Sequence, residues 1–171
     1  MRKIGLWLSA LAAVGSVAAV LVATPAAARE VVAFNGNYGA GTIIVRTNER
    51  RLYYVMGDGR AIRYPVGVGT AGMQWQGTTI ISGKYVQPAW SPPAMMRHER
   101  KYPDVIPGGS PSNPMGVAAM TLAGGEYAIH GTNAPGSIGG FVSHGCIRML
   151  NQDITDLFSR VGIGTTVVVT R

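Results

Sequence analysis

Cysteine is almost absent from this chain, one residue in 171 at Cys146, so no internal disulfide can form and a disulfide-stapled scaffold is excluded. Charge is sparse too, at 13% of residues, and carboxylates are the scarcer sign: eight face 15 lysines and arginines, for a net charge of +7. The cations, Lys84, Arg97, Arg100 and Lys101 among them, are scattered and do not build the patch that grips phosphate, so no nucleic acid partner is expected. No internal repeat is present, and the one low-complexity stretch is an alanine-rich beginning.

That beginning reads as an export signal. Arg2 and Lys3 give a positive start, residues 4–23 are a long apolar run, and residues 26–28 are small enough for cleavage. The run matches the roughly 20 residues that cross a bilayer, so a retained anchor is the competing reading. Pro25 and the alanines suit processing better than a stop-transfer flank, and no cysteine closes the signal to take a lipid. The expectation is a signal peptide over residues 1–28, cleaved after Ala28, and a single domain over residues 29–171 exported to the periplasm or cell wall. Loss of Arg2 and Lys3 leaves 13 basic and eight acidic residues, a balance of +5. Such a charge fits an acidic polymer such as a cell wall, although it also serves solubility alone.

Short β-favouring runs separated by turn residues follow: residues 41–46, 51–56, 61–68, 78–82, 116–122, 126–130 and 164–170. They predict a mainly β sandwich or barrel. Gly57, Asp58 and Gly59 tolerate the positive φ of a tight turn and predict a hairpin between the second and third runs. In residues 151–162 the pattern changes: Ile154, Leu157, Phe158 and Val161 are spaced for one short helix, with Asn151 as its cap and Gly162 as its end. Residues 88–113 are too rich in proline and glycine for regular structure beyond one helical turn at residues 93–98, and a loop this long reads as a lid or pocket wall.

An exported protein ordinarily pairs its cysteines or lacks them. Cys146 is then a nucleophile, a metal ligand, a point of intermolecular pairing or a small buried residue. Its surroundings favour the nucleophile. His144 lies two residues before it, and His130 ends a strand at the start of a glycine-rich loop that can bring it back beside the thiol. A neighbouring imidazole takes the thiol proton and stabilises the thiolate. If residues 144–146 are extended, His144 and Cys146 share a face, Gly145 admits a substrate backbone, and the N–H groups around Cys146 form an oxyanion site for acyl transfer. A zinc site from His130, His144, Cys146 and His98 is the alternative. Closed zinc sites want four ligands, and Arg97 and Arg100 beside His98 oppose a cation, so no metal is expected. Cysteine hydrolases such as wall amidases commonly place the cysteine before the histidine, whereas His130 precedes Cys146. A wall-binding module without activity would be favoured had either residue been missing.

Residues 130–149, HGTNAPGSIGGFVSHGCIRM, resemble the signature of the L,D-transpeptidase (YkuD-type) family: a histidine, a glycine-rich interval, Ser/Thr-His-Gly-Cys, an apolar residue, then Asn or Arg. The interval is shorter than in several members, and Arg148 stands where many have Asn. NPMG at residues 113–116, WSPP at 90–93 and the final GTTVVV are similar to further elements of that catalytic domain, so the likeness spans roughly residues 41–170. The resemblance implies a β-sandwich or barrel-like catalytic domain with a short helix after the cysteine motif. It makes Cys146 the nucleophile, His130 the general base and the Gly131 carbonyl the third element. His144 joins the N–H groups of Gly145 and Cys146 at the oxyanion site. Ser143, Gly145, Arg148 and Trp90 fall on the substrate side, Arg148 supporting the loop or binding a carboxylate.

The resemblance implies no metal or organic cofactor. It implies peptidoglycan tetrapeptide stems as substrate, with D-alanine expelled and a thioester passed to an amine of a neighbouring stem or to a lysine of an outer-membrane protein or lipoprotein. Water as acceptor would make a carboxypeptidase, and carbapenems are expected inhibitors through Cys146. Outside the motif, Trp75, Tyr53 and Tyr54 read as packing residues, and Met95 and Met96 as gap fillers. Asp153 and Asp156 suit the first turns of the helix and carry no catalytic expectation.

Overall fold

The computed structural model describes residues 29–93, 96 and 103–171, so the leader, its cleavage site, His98 and most of the expected helical turn lie outside the described residues. The described strands are β1 Glu30–Ala33, β2 Ile43–Arg46, β3 Arg51–Gly57, β4 Arg60–Gly69, β5 Gly77–Val86, β6 Ala118–Leu122, β7 Ala128–His130, β8 Phe141–Ser143, β9 Ile147–Met149 and β10 Thr166–Thr170. The helix α1 spans Asn151–Arg160.

The strand order is β1-β4-β3-β2-β10-β5-β6-β7-β9, and pairing of β4 with β9 closes the path into a barrel. The closure rests on β4, which changes partner halfway. Its first part pairs with β3, while Val66 and Gly67 pair with Met149 and Arg148 of β9, and its end runs parallel to β8. Side chains alternate across each strand. Ile43, Val45, Leu52, Ile62, Tyr64, Val167 and Val169 therefore enter the main core, together with Ile154 and Leu157 of α1. The intervening Ile44, Tyr53, Val55 and Ala61 build a smaller core with Phe34 on the other face. A fully buried Ile or Leu contributes about 1.5–3 kcal/mol, so the interior positions fix the strand register.

The expected hairpin is present: Gly57, Asp58 and Gly59 have φ of 88°, 50° and 73° between the paired β3 and β4. Three strands, β1, β8 and β9, were not read from the sequence, because three or four residues are too few for an alternating pattern. β5 also continues past Ser82 to Val86. Its register shifts between Ile81 and Gly83, where a Cβ would meet the Tyr85 hydroxyl at 2.7 Å and Thr121 Oγ1 at 2.9 Å, so the glycine marks a bulge inside the strand.

The helix forms where expected, but its ends differ. Asn151 is the first helical residue after Leu150 and makes no cap bond. At the other end Val161 is extended, and Lys84 Nζ donates to the Phe158 and Val161 carbonyls at 2.7 and 2.6 Å. A cation from β5 thus satisfies carbonyls that the helix itself leaves open, in place of a left-handed Gly162. The long loop is anchored as well. Trp90 and Ile106 exchange backbone bonds of 2.9 and 2.8 Å. Buried Asn113 donates through Nδ2 to the carbonyls of Pro88, Ile106 and Pro107, at 2.9, 3.3 and 3.0 Å, and its Oδ1 accepts from the Met115 N–H at 2.9 Å.

Candidate active site

Adjacent parallel strands bring the motif together. β7 and β9 pair with Ile129 opposite Ile147 and His130 opposite Arg148. Alternation sends Ile129, Ile147 and Met149 into the core, leaving His130 and Arg148 on the opposite face. Cys146 immediately precedes β9. With His130, His144 and Arg148 it lines a cavity of about 350 Å³ whose other walls include Trp90, Pro93 and Met96 of the long loop and Met115 of the NPMG turn. Residues 88–113 therefore supply a pocket wall, and Met96 faces that cavity.

His130 is buried, and its Nδ1 lies 2.7 Å from the Gly131 carbonyl oxygen. A carbonyl only accepts, so Nδ1 carries the proton and Nε2 keeps its lone pair. Burial pushes the imidazole pKa down to about 4, helped by the Arg148 charge and opposed by the Gly131 and Pro114 carbonyls. Burial also pushes the Cys146 thiol up, as does Glu126, while the Ala128 backbone and Arg148 pull it back. The resting pair at neutral pH is thus a neutral thiol and a neutral imidazole.

The loop into the thiol departs from the sequence expectation. Residues 144–146 do not form an extended segment, because Gly145 turns the chain at φ 118°. A Cβ there would lie 2.4 Å from Tyr127 Cε1. Glycine is thus required by the Tyr127 ring, and a substrate backbone is not the group it admits. Tyr127 stacks on Trp75 at 5.1 Å with 5° between the planes, and Trp75 Nε1 donates to the Gly145 carbonyl at 3.0 Å. The Gly145 N–H donates to Ser143 Oγ at 3.1 Å, and that hydroxyl donates to the Cys146 carbonyl at 2.6 Å. Both groups are thus bonded within the loop, and Ser143 also stands at the pocket wall.

His144 is exposed at the rim. Arg148 is half-buried in the wall, and its Nε is buried without a hydrogen-bond partner among the described residues. Among the described residues no group of three or more His, Cys, Asp or Glu could hold a metal ion.

Residues 40–169 match the family model of the YkuD-type L,D-transpeptidase catalytic domain. The chain belongs to this family. It is 43% identical over 135 residues to the probable L,D-transpeptidase YbiS of Escherichia coli K12, a match covering 73% of this chain and 43% of that protein. The probable L,D-transpeptidase ErfK/SrfK of Salmonella typhimurium is 42% identical over 135 residues, covering 73% and 42%. The chain thus spans less than half the length of these curated relatives. In fold it is similar to the solved L,D-transpeptidase 3 of Mycobacterium tuberculosis, with a TM-score of 0.61 at 16% identity over 77% of this chain and 61% of that one. That neighbour has also been solved with a faropenem-derived adduct.

Within this L,D-transpeptidase domain, sequence reasoning found the residues on the motif and missed those that hold it. Trp75 packs against the main core as expected, and its indole also fixes the Gly145 carbonyl from 70 positions away, which the sequence did not signal. Asn113 was noted only within NPMG, and its role as the pin of the loop depends on backbone groups distant in sequence. No local pattern signals either.

Proposed function

We propose that the domain is a cysteine-dependent L,D-transpeptidase acting on the tetrapeptide stems of peptidoglycan. The observation that carries this reading is that His130, with its Nδ1 held by the Gly131 carbonyl at 2.7 Å, and Cys146 line one cavity. Cys146 Sγ attacks the carbonyl carbon of the third stem residue while Nε2 takes the thiol proton. The Cys146 N–H and His144 stand at the side where the oxyanion develops. Collapse breaks the amide bond, His130 returns the proton to the departing D-alanine amine, and a thioester remains. An acceptor amine then attacks the thioester, loses a proton to His130 and regenerates the thiol. Splitting the exchange into two acyl transfers lowers each barrier.

Arg148 lines the same cavity and is the cation we assign to a carboxylate on the donor stem, and Trp90 offers an apolar wall to the peptide. A neighbouring stem as acceptor gives a 3-3 cross-link, and a protein lysine gives an anchored protein. Carbapenems are inhibitors in this reading, and the faropenem-derived adduct on the structural neighbour comes from the same broad class of β-lactam acylating agents. We also propose cleavage after Ala28 and action in the periplasm or wall, where the +5 balance suits an acidic polymer. Among the described residues no helix is long and apolar enough to cross a membrane.

The test is intact-mass spectrometry of the reduced protein with a disaccharide-tetrapeptide and, separately, with a carbapenem. An adduct on Cys146 with D-alanine release and a dimeric muropeptide supports transpeptidation, whereas D-alanine release without dimer indicates water as acceptor. Persistent acylation of Cys146→Ala, or no adduct on the folded, reduced parent, refutes the assignment.

A further inference from the structure

We propose that Asn151 is a positioning residue for His130 and acts through a single peptide unit. This rests on His130 being the base. The Gly131 carbonyl and the Thr132 N–H belong to one trans peptide and point in opposite directions. On one side the carbonyl accepts the His130 Nδ1 proton at 2.7 Å, and on the other the N–H donates to Asn151 Oδ1 at 3.0 Å. Fixing the N–H fixes the carbonyl, and the carbonyl fixes the tautomer and orientation of the ring. The bond at the N–H also polarises the carbonyl and makes it a better acceptor.

The device is needed because the peptide is intrinsically loose. Gly131 is the residue type freest to rotate, and it must be glycine here because a Cβ would lie 2.3 Å from Asn151 Oδ1. The same oxygen takes the Val117 N–H at 3.4 Å and sits where a Gly116 Cβ would be, at 2.2 Å. Asn151 thereby ties down the 113–117 turn, whose Pro114 carbonyl is the second one favouring a protonated His130. Asn at a helix start ordinarily caps the helix, yet this side chain makes no cap bond, and α1 begins without one. Its carboxamide is committed to the two carbonyl-bearing segments around the imidazole.

Two substitutions separate positioning from packing. Asn151→Leu keeps the branching at Cγ, with bulkier methyl groups, and removes the acceptor, whereas Asn151→Asp keeps the size and the acceptor and adds negative charge behind the carbonyl. Among the described residues, the other titratable or charged groups facing His130 are Cys146 and Arg148, with His144 at the rim, and the 113–117 turn contributes none. The readouts are the His130 ring titration by NMR, the pH dependence of Cys146 alkylation by iodoacetamide, and the rate of acylation by a carbapenem. Asn151→Leu is expected to lower the His130 midpoint below the parent's and to slow acylation about 10- to 100-fold, the cost of a misplaced reacting group. Asn151→Asp is expected to restore acylation and to raise the midpoint.

Equal losses in both variants with the parent's pH profile would reduce Asn151 to packing and overturn the proposal, as would a parent-like rate in Asn151→Leu. Where Asn151→Leu fails to fold, the midpoint of Asn151→Asp decides alone, and no upward shift overturns the proposal. A parent that no carbapenem acylates would count against the transpeptidase reading, while alkylation and ring titration would still decide the role of Asn151.

Discussion

Replacing Gly145 with alanine should damage the domain out of proportion to one methyl group. The new Cβ meets Tyr127 Cε1 at 2.4 Å and Cδ1 at 2.9 Å, and the ring cannot easily retreat because it stacks on Trp75, which is itself bonded to the Gly145 carbonyl. Overpacking of this kind costs about 1–3 kcal/mol. The backbone adds a second penalty, since φ of 118° is open to glycine and strained for alanine, about 1–3 kcal/mol more. The expected loss is therefore about 2–6 kcal/mol, read from urea midpoints at constant m. Truncating Tyr127 to alanine relieves the clash and leaves the backbone strain, so a double-mutant cycle should return a favourable coupling of about 1–3 kcal/mol. A Gly145→Ala variant within about 0.5 kcal/mol of the parent would refute the argument, since that is the range of ordinary surface changes. A cycle without coupling would refute the clash and leave strain alone.

Other consequences follow from the same geometry. Because His130 has a pKa lowered from 6.5 to about 4, the unfolded chain takes up the proton first, and stability falls as pH drops through that window by about 3 kcal/mol relative to His130→Phe in acid melts. Acylation, which needs the neutral ring, should rise with pH through about 4 and be level by neutrality; an acid limb at 6–7, where a free imidazole titrates, would contradict the buried neutral base. Lys84→Met keeps the stem but strips the Phe158 and Val161 carbonyls of their donor, and a loss of about 1.5–3 kcal/mol in a thermal or urea melt is expected. Asn113→Asp presents an acceptor to the three carbonyls of Pro88, Ile106 and Pro107; it should destabilise more than Asn113→Ser and raise KM by loosening the wall that carries Trp90.

Much of the chemistry was legible because it is written locally. Cys146, His144 and Arg148 lie within one short stretch and the Gly131 carbonyl follows His130 directly, so spacing and the family resemblance together named most of the residues that share the cavity. The long alternating strands and the turn at Asp58 were legible for the same reason: period-two burial and positive φ leave marks on consecutive residues. β8 and β9 left none, since three residues cannot display a period, and their strand character comes from β4 and β7 beside them. The bonds that Ser143 and Gly145 make within the loop were not legible on the same ground, because the motif gives the residue and not the neighbour it bonds.

The sequence by itself determined an exported-looking, mainly β chain with one cysteine and a histidine set to meet it, because composition, periodicity and motif spacing are properties of neighbours along the chain. Tertiary structure alone decided that Tyr127 and Trp75 hold the nucleophile loop and that Lys84 closes the helix. It also decided that Asn151 turns from capping to grip the peptide behind His130. Each of these is a contact between segments far apart in sequence, and its partner is chosen by barrel closure, which no local pattern encodes.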